Sequence, residues 1–275
     1  MKKTILTLAA ATVIAASMAG AAAAGELSTV TPGKLTIGTS PDFAPYEFYH
    51  IDENGTPQLA GYDIALGQRI ADELGLELNV VPISFDGILM ELNNGNVDLG
   101  ISGFSPDEER KKVVDFSDLY YLGGQAFCVA EANKDKYTSY EDFDGLTVGA
   151  QMGSIQYKLA LENTPNANIT QLDKVTDIVL ELISGKMDGA FIEKDVALQY
   201  AETYPDLCVL WDVPYDAEGS AIAVRKGNDA LLEAVNGVIA EVLEDGSMDQ
   251  YIAEAKTLAS DEDNVLEESP ELETE

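Results

Sequence analysis

The 275-residue chain carries 49 Asp and Glu against 16 Lys and Arg, a formal net charge of −33, and 46% of its residues are apolar. That apolar fraction suits a globular core that folds without staples. So acidic a surface repels phosphate backbones and anionic headgroups, which excludes nucleic acid and membrane surfaces as partners. Two cysteines and one histidine, His50, in no zinc-type spacing argue against a metal centre and leave no cofactor implied.

In chain order, Lys2 and Lys3, an apolar run from Ile5 to Ala19 and the small residues Ala22, Ala23 and Ala24 read as a secretory signal peptide over residues 1–24. The apolar run falls short of the roughly 20 residues of a membrane span. Ser17-Met18-Ala19-Gly20 looks like the run before a lipoprotein cysteine, but Ala21 has no thiol to acylate. The mature chain is therefore expected to be released, periplasmic or extracellular.

Lys34 to Thr39 reads as a buried strand, and Asp63 to Leu74 as a helix capped by Asp63 and stopped by Gly75. Leu78 to Ile83 is a strand, Phe85 to Asn94 a helix stopped by Gly95, and Val97 to Ser102 a strand followed by a helix from Pro106 to Lys112. Alternation of this kind predicts parallel sheets covered by helices, an α/β fold. The pattern then restarts. LTIGTS at Leu35 is echoed by LTVGAQ at Leu146, and ELNNGNVDLGIS at Glu91 by ELISGKMDGAFI at Glu181, with Glu, Gly and Asp in register. Two echoes in the same order predict two similar lobes. Residues 25–121 and 219–260 are expected to form the first and 122–218 the second. A glycine pair in YYLGGQA, Tyr120 to Ala126, and the run Val213 to Ser220 are candidate hinge crossings. A strand from Ala221 to Arg225 and helices from Asp229 to Glu244 and Ser247 to Ala259 follow. Residues 261–275, with eight acids and no base, read as a disordered tail. Cys128 and Cys208 fit either a disulfide or two buried thiols.

Ligands of open α/β sheets sit beyond the carboxyl ends of the strands. Four loops qualify here: after Thr39, Ser102, Gly149 and Ile192. In the second loop, Gly103-Phe104-Ser105-Pro106 opens the expected helix, with Ser105 as its cap, Pro106 at the first position and Glu108 closing a capping box. Free N–H groups at such an end suit a carboxylate, and Arg110 in the next turn could pair with it. By spacing alone a capped surface helix with a solvated arginine is the simpler account. Gln151, Gly153 and Ser154 offer polar donors in the third loop, a weak signal by itself. Glu193 ends the fourth strand, where it either accepts hydrogen bonds from an ammonium or belongs to an exposed cluster with Lys194 and Asp195. Phe43 and Phe85 are candidate aromatic walls, while Tyr46 and Phe48 read as packing. No phosphate loop, nucleophile elbow or thiol–histidine motif is present.

The runs GYDIALGQRIADEL, VPISFDGILMELNNGNVDLGISG, ERKKVVDFSDLYY and SAIAVRKGN, in that order, resemble the family 3 extracellular solute-binding proteins, the polar amino-acid binding proteins of ABC importers. The resemblance spans Leu35 to about Ala255. It implies a type II periplasmic-binding-protein fold, two α/β lobes joined by a two-stranded hinge, in a monomer that closes on a free amino acid and presents it to a membrane permease. It implies that Arg110 clamps the ligand α-carboxylate with Ser105 and the backbone near Ser154. Glu193 and the Gly103 carbonyl would hold the α-ammonium, Phe43 and Phe85 would be the walls, and Ser40, Ser102, Gln151 and Gly153 would complete the site. Ser40 stands where binders of basic amino acids often carry an acid, which argues against a lysine or arginine pocket, and Ser40, Gln151 and the aromatic walls together favour a neutral polar ligand such as glutamine. The rival is a dehydratase of prephenate-like substrates on the same fold, which would need more than the one arginine clamp.

Overall fold

The computed structural model describes residues 28–216 and 219–261. The expected signal peptide and all of the acidic tail beyond Asp261 lie outside them. In the first run, Lys34–Thr39 (β1) precedes three short strands, Asp42–Phe43 (β2), Glu47–Ile51 (β3) and Pro57–Ala60 (β4). Helix Tyr62–Leu74 (α1), Glu77–Pro82 (β5), helix Phe85–Asn94 (α2), Leu99–Gly100 (β6) and Val114–Tyr121 (β7) complete it. The second run is Gln125–Ala130 (β8), Thr147–Gln151 (β9), Ile155–Asn163 (α3), Asn168–Leu172 (β10), Val175–Ile183 (α4), Gly189–Glu193 (β11), Lys194–Thr203 (α5) and Leu207–Asp212 (β12). Ser220–Arg225 (β13) then leads to helices Asp229–Glu244 (α6) and Ser247–Ala259 (α7).

Two five-stranded sheets result, ordered β5-β1-β6-β13-β7 and β10-β9-β11-β8-β12. In each, three parallel strands are followed by one antiparallel strand that the chain brings in from its other crossing: β13 beside β6, and β8 beside β11. Strands β2, β3 and β4 form a small antiparallel sheet of their own. The sequence echoes mark one device built twice. Asp98 takes the Thr36 N–H on Oδ2 at 2.8 Å, and Asp188 takes the Thr147 N–H on Oδ2 at 3.0 Å. Each acid ties the turn before its strand to the start of the neighbouring parallel strand, β1 in the first lobe and β9 in the second. Gly95 and Gly185 precede them with φ of 75° and 78°, the left-handed conformation that ends α2 and follows α4.

The sheets are joined by two crossings, β7 to β8 through Gly123 and Gly124, and β12 to β13. Ser220 pairs with Tyr121, Val213 N–H donates to Gln125 O at 2.8 Å, and the Tyr215 hydroxyl donates to Gly123 O at 3.3 Å. Mutual bonds make the two crossings one hinge.

Helices α2, α6 and α7 have the expected bounds, as does β1. Two local expectations fail. Helix α1 begins at Tyr62 with Gly61 as cap, and Asp63 makes no cap; its carboxylate turns inward to Gly103 and Tyr120. The helix expected from Pro106 to Lys112 is a single 3-10 turn, Arg110–Lys112. The chain must reach β7 at Val114 within one residue of that turn, which leaves no room for a helix. Cys128 and Cys208 are free. Cys128 lies opposite Val209 and Cys208 opposite Val129. Side chains alternate along a strand, so neighbouring Cys128 and Val129 point to opposite faces. Cys208 shares the Val129 face, which leaves the two thiols on opposite sides of the sheet.

Candidate functional site

The carboxyl ends of β1, β6, β9 and β11 meet at the boundary between the lobes, and the lobes are closed on one another there. Arg110 bridges them. Its Nη1 donates to Ser105 O at 2.9 Å in its own lobe, and its Nη2 to Gly153 O at 3.1 Å in the other. Asp107 pairs with Lys158 across the same boundary. Gly153 has φ of 70°, and a Cβ there would lie 2.9 Å from Asp86 Cβ of the first lobe. A side chain at Gly153 would hold the cleft ajar.

Arg110 is buried, and its guanidinium lies 5.3 and 5.1 Å from the ring centroids of Phe85 and Phe104. These two rings stack at 4.7 Å. The aromatic faces attract the cation while excluding water. Burial lowers the Arg110 pKa to about 10, so the group stays charged at neutral pH. The arginine is not solvated, and the capping account of its loop fails. Arg110 N–H donates to Asp107 Oδ1 at 2.8 Å, and Glu108 pairs with Lys111 rather than reaching back to Ser105. Ser105 is buried and contributes its carbonyl to Arg110, not a cap.

Glu193 is buried, which overturns the reading as an exposed charge cluster. It caps α5: Oε2 accepts the Val196 N–H at 2.9 Å, and Oε1 accepts the Gly124 N–H at 3.2 Å. Burial outweighs these donors and raises its pKa to about 7. Gly123 shows how close the hinge runs: a Cβ on it would lie 2.8 Å from both Glu193 Oε1 and the Tyr46 hydroxyl. Tyr46 is therefore more than packing, since its hydroxyl and the Glu193 carboxylate flank the same point. Tyr46 also packs against Phe43, whose ring lies 5.2 Å away and beside Gly103.

The first lobe adds three acids that the sequence did not mark for the site. Glu47 is fully buried and accepts the Ser102 hydroxyl; burial first, then the Asp63 charge, pushes its carboxyl well above the usual range. Asp63 accepts the Gly103 N–H at 2.9 Å and the Tyr120 hydroxyl at 3.0 Å, and burial raises it to about 6. Asp42 is partly buried and accepts the Ser40 hydroxyl at 3.0 Å; burial raises it to about 6 too. Asp42 and Ser40 line a cavity of 230 Å³ with Pro41, Ser84, Asp173 and Lys174.

Ser102 Oγ is also the acceptor for Ser40 N–H at 3.2 Å. Gln151 is buried but spends its amide on Asp173 O at 3.0 Å within its own lobe. Ser154 caps α3: its hydroxyl accepts the Tyr157 N–H at 3.2 Å and donates to Gln151 O at 2.7 Å. The structure thus gathers Arg110, Ser105, Phe85, Gly153 and Ser154 at one end of the cleft. Phe43, Gly103 and Glu193 gather around Tyr46, and Ser40 and Ser102 near the acids. No group of three or more metal-ligating side chains and no helix long and apolar enough to span a membrane occur among the described residues.

Residues 35–255 match the family model described as bacterial extracellular solute-binding proteins, family 3. The chain belongs to this family. Among the relatives of this family 3 member is the arginine-binding extracellular protein ArtP of Bacillus subtilis, 34% identical over 91% of this chain and 96% of ArtP. A crystal structure of the amino acid ABC transporter substrate-binding protein AbpA from Streptococcus pneumoniae, bound to L-arginine, superposes with a TM-score of 0.80 at 36% identity, covering 83% of this chain and 97% of AbpA. An ancestral arginine-binding protein bound to glutamine gives 0.74 at 37% identity, covering 82% and 98%. The family 3 chain has the type II periplasmic-binding fold and is a binding protein rather than an enzyme, which sets the dehydratase alternative aside.

Proposed function

We propose that this protein captures a cationic amino acid, arginine foremost, outside the cytoplasm by closure of its lobes and hands it to an ABC permease in the membrane. Arg110, with the N–H groups that open α3, takes the α-carboxylate. Glu193 and the Gly103 carbonyl take the α-ammonium, beside Tyr46 and Phe43. The side chain runs toward Ser40.

One observation carries the cationic assignment: the closed cleft holds more buried negative charge than its one buried cation balances. Asp63 and Glu193 both have raised pKa values because burial strips them of water, and Arg110 is the one buried cation among the described residues. Buried charge needs a partner. A zwitterion brings none in net terms, whereas arginine brings one. Ser40 does not argue against a basic ligand, because its hydroxyl donates to the carboxylate two residues on. The arginine ligands of ArtP and AbpA support the same reading, and the glutamine expected from Ser40, Gln151 and the aromatic walls gives way to it. Calorimetric titration with the twenty amino acids tests the assignment. Arginine should bind at least tenfold tighter than glutamine. Tighter glutamine would overturn the cationic assignment, and no binding of any amino acid would overturn capture itself.

A further inference from the structure

The second lobe turns the start of helix α4 toward the first. Its cap position is Lys174, whose backbone is extended (φ −110°, ψ 139°) as a cap requires, but whose side chain has no acceptor to offer. The first N–H groups of any helix lack partners within it. Helices α3 and α5 solve this locally, with Ser154 and Glu193. Helix α4 does not. Its Val175 N–H donates at 2.6 Å to Asp42 Oδ2, which belongs to the other lobe.

Asp42 is held for this task. Ser40 Oγ donates to its other carboxylate oxygen at 3.0 Å, and the Tyr200 hydroxyl of α5 donates to its carbonyl at 3.1 Å. That hydroxyl lies 2.7 Å from Thr176 Oγ1 in the first turn of α4. Both carboxylate oxygens are committed within the protein. The negative charge sits at the positive end of the α4 dipole, where it is favourable.

We infer that Asp42 is a trans-acting helix cap that latches the closed form: closure caps α4, and opening uncaps it. This rests on the reading of the protein as a hinged capture device. The latch acts on closure and not on ligand atoms. It therefore slows dissociation of every amino acid alike and leaves their rank unchanged.

The test is a double-mutant cycle read by stopped-flow dissociation of bound amino acids and by inter-lobe fluorescence transfer. Asp42→Ala should raise the dissociation rate about tenfold, within the worth of a lost cap, and lower the closed fraction. Asp42→Asn, which keeps an acceptor and the fold, should do so less. Lys174→Ser gives α4 a cap in the open and closed forms alike. It should speed dissociation in the parent protein and have little effect beside Asp42→Ala, a non-additivity that marks a shared role. Lys174→Gln removes the same charge without offering a cap and sets the baseline. An Asp42→Ala protein that dissociates within twofold of the parent, additive effects, or a changed rank of amino acids would overturn the latch. If the parent binds no amino acid, capture fails instead. The latch is then judged by the ligand-free closed fraction, which Asp42→Ala must still lower.

Discussion

The two lobes share a framework and differ in what they bring to the cleft. Asp98 and Asp188 make the same bond in equivalent places, and the sheets have the same strand order. The first lobe contributes a guanidinium between two rings and a nest of buried acids. The second contributes capped helix starts and one buried carboxylate, Glu193. A duplicated scaffold thus fixes where the strand ends lie, and the residues just beyond those ends are free to diverge. Symmetry belongs to stability and asymmetry to binding.

The largest effect expected from this division is on the asymmetric side. Arg110→Ala should weaken amino-acid binding about a thousandfold, near 4 kcal/mol, because it removes one partner of a desolvated charge pair. Calorimetry showing a loss of only a few-fold would break the assignment of carboxylate capture to the first lobe. Next come the symmetric partners. Asp98→Asn and Asp188→Asn should each lower thermal stability by about 2 kcal/mol, since each weakens a charge-assisted bond to a buried strand. Asp98 should cost slightly more, because its Oδ1 also accepts the Val30 N–H at 2.7 Å. A large difference between the two in calorimetric melting would deny that they are equivalents.

The smallest effect is on pH. Glu193 has a raised pKa in the closed form because it is buried there; in an open cleft that lets water reach it, it would return toward its ordinary value of 4.5. Closure therefore takes up protons. Its acid-side advantage is full below that ordinary value and is lost as pH rises through about 7. Between pH 7.5 and 6 the closed-to-open ratio of ligand-free protein should rise about tenfold, roughly 1.4 kcal/mol. Small-angle scattering that shows expansion on acidification would place Glu193 outside the boundary that closes.

Much of this was legible along the chain. Periodicity and glycine stops locate α2, α6 and α7, and the echoes locate the duplicated acids. Arg110 and Glu193 are visible as charged residues at strand or loop ends, but both are buried, where spacing alone favours a solvated arginine and leaves Glu193 open to an exposed cluster. The loop around Arg110 was misread because Ser105, Pro106 and Glu108 satisfy a capping pattern, yet the following strand starts too soon for a helix to form. Asp63 was misread for a related reason. An acid at a helix start is ordinarily a cap, and only the fold brings Gly103 and Tyr120 to it. Asp42 and Tyr46 gave no signal, since their decisive neighbours, Val175 and Glu193, come from the far lobe.

Gly123 carries a last consequence. Lacking a Cβ, it lets the pivot of the molecule run within contact distance of Glu193 and Tyr46. Points near an axis travel least when a body swings about it. A seat for an ammonium at that point would thus keep nearly the same shape as the hinge swings, and discrimination among side chains would be left to the parts that sweep.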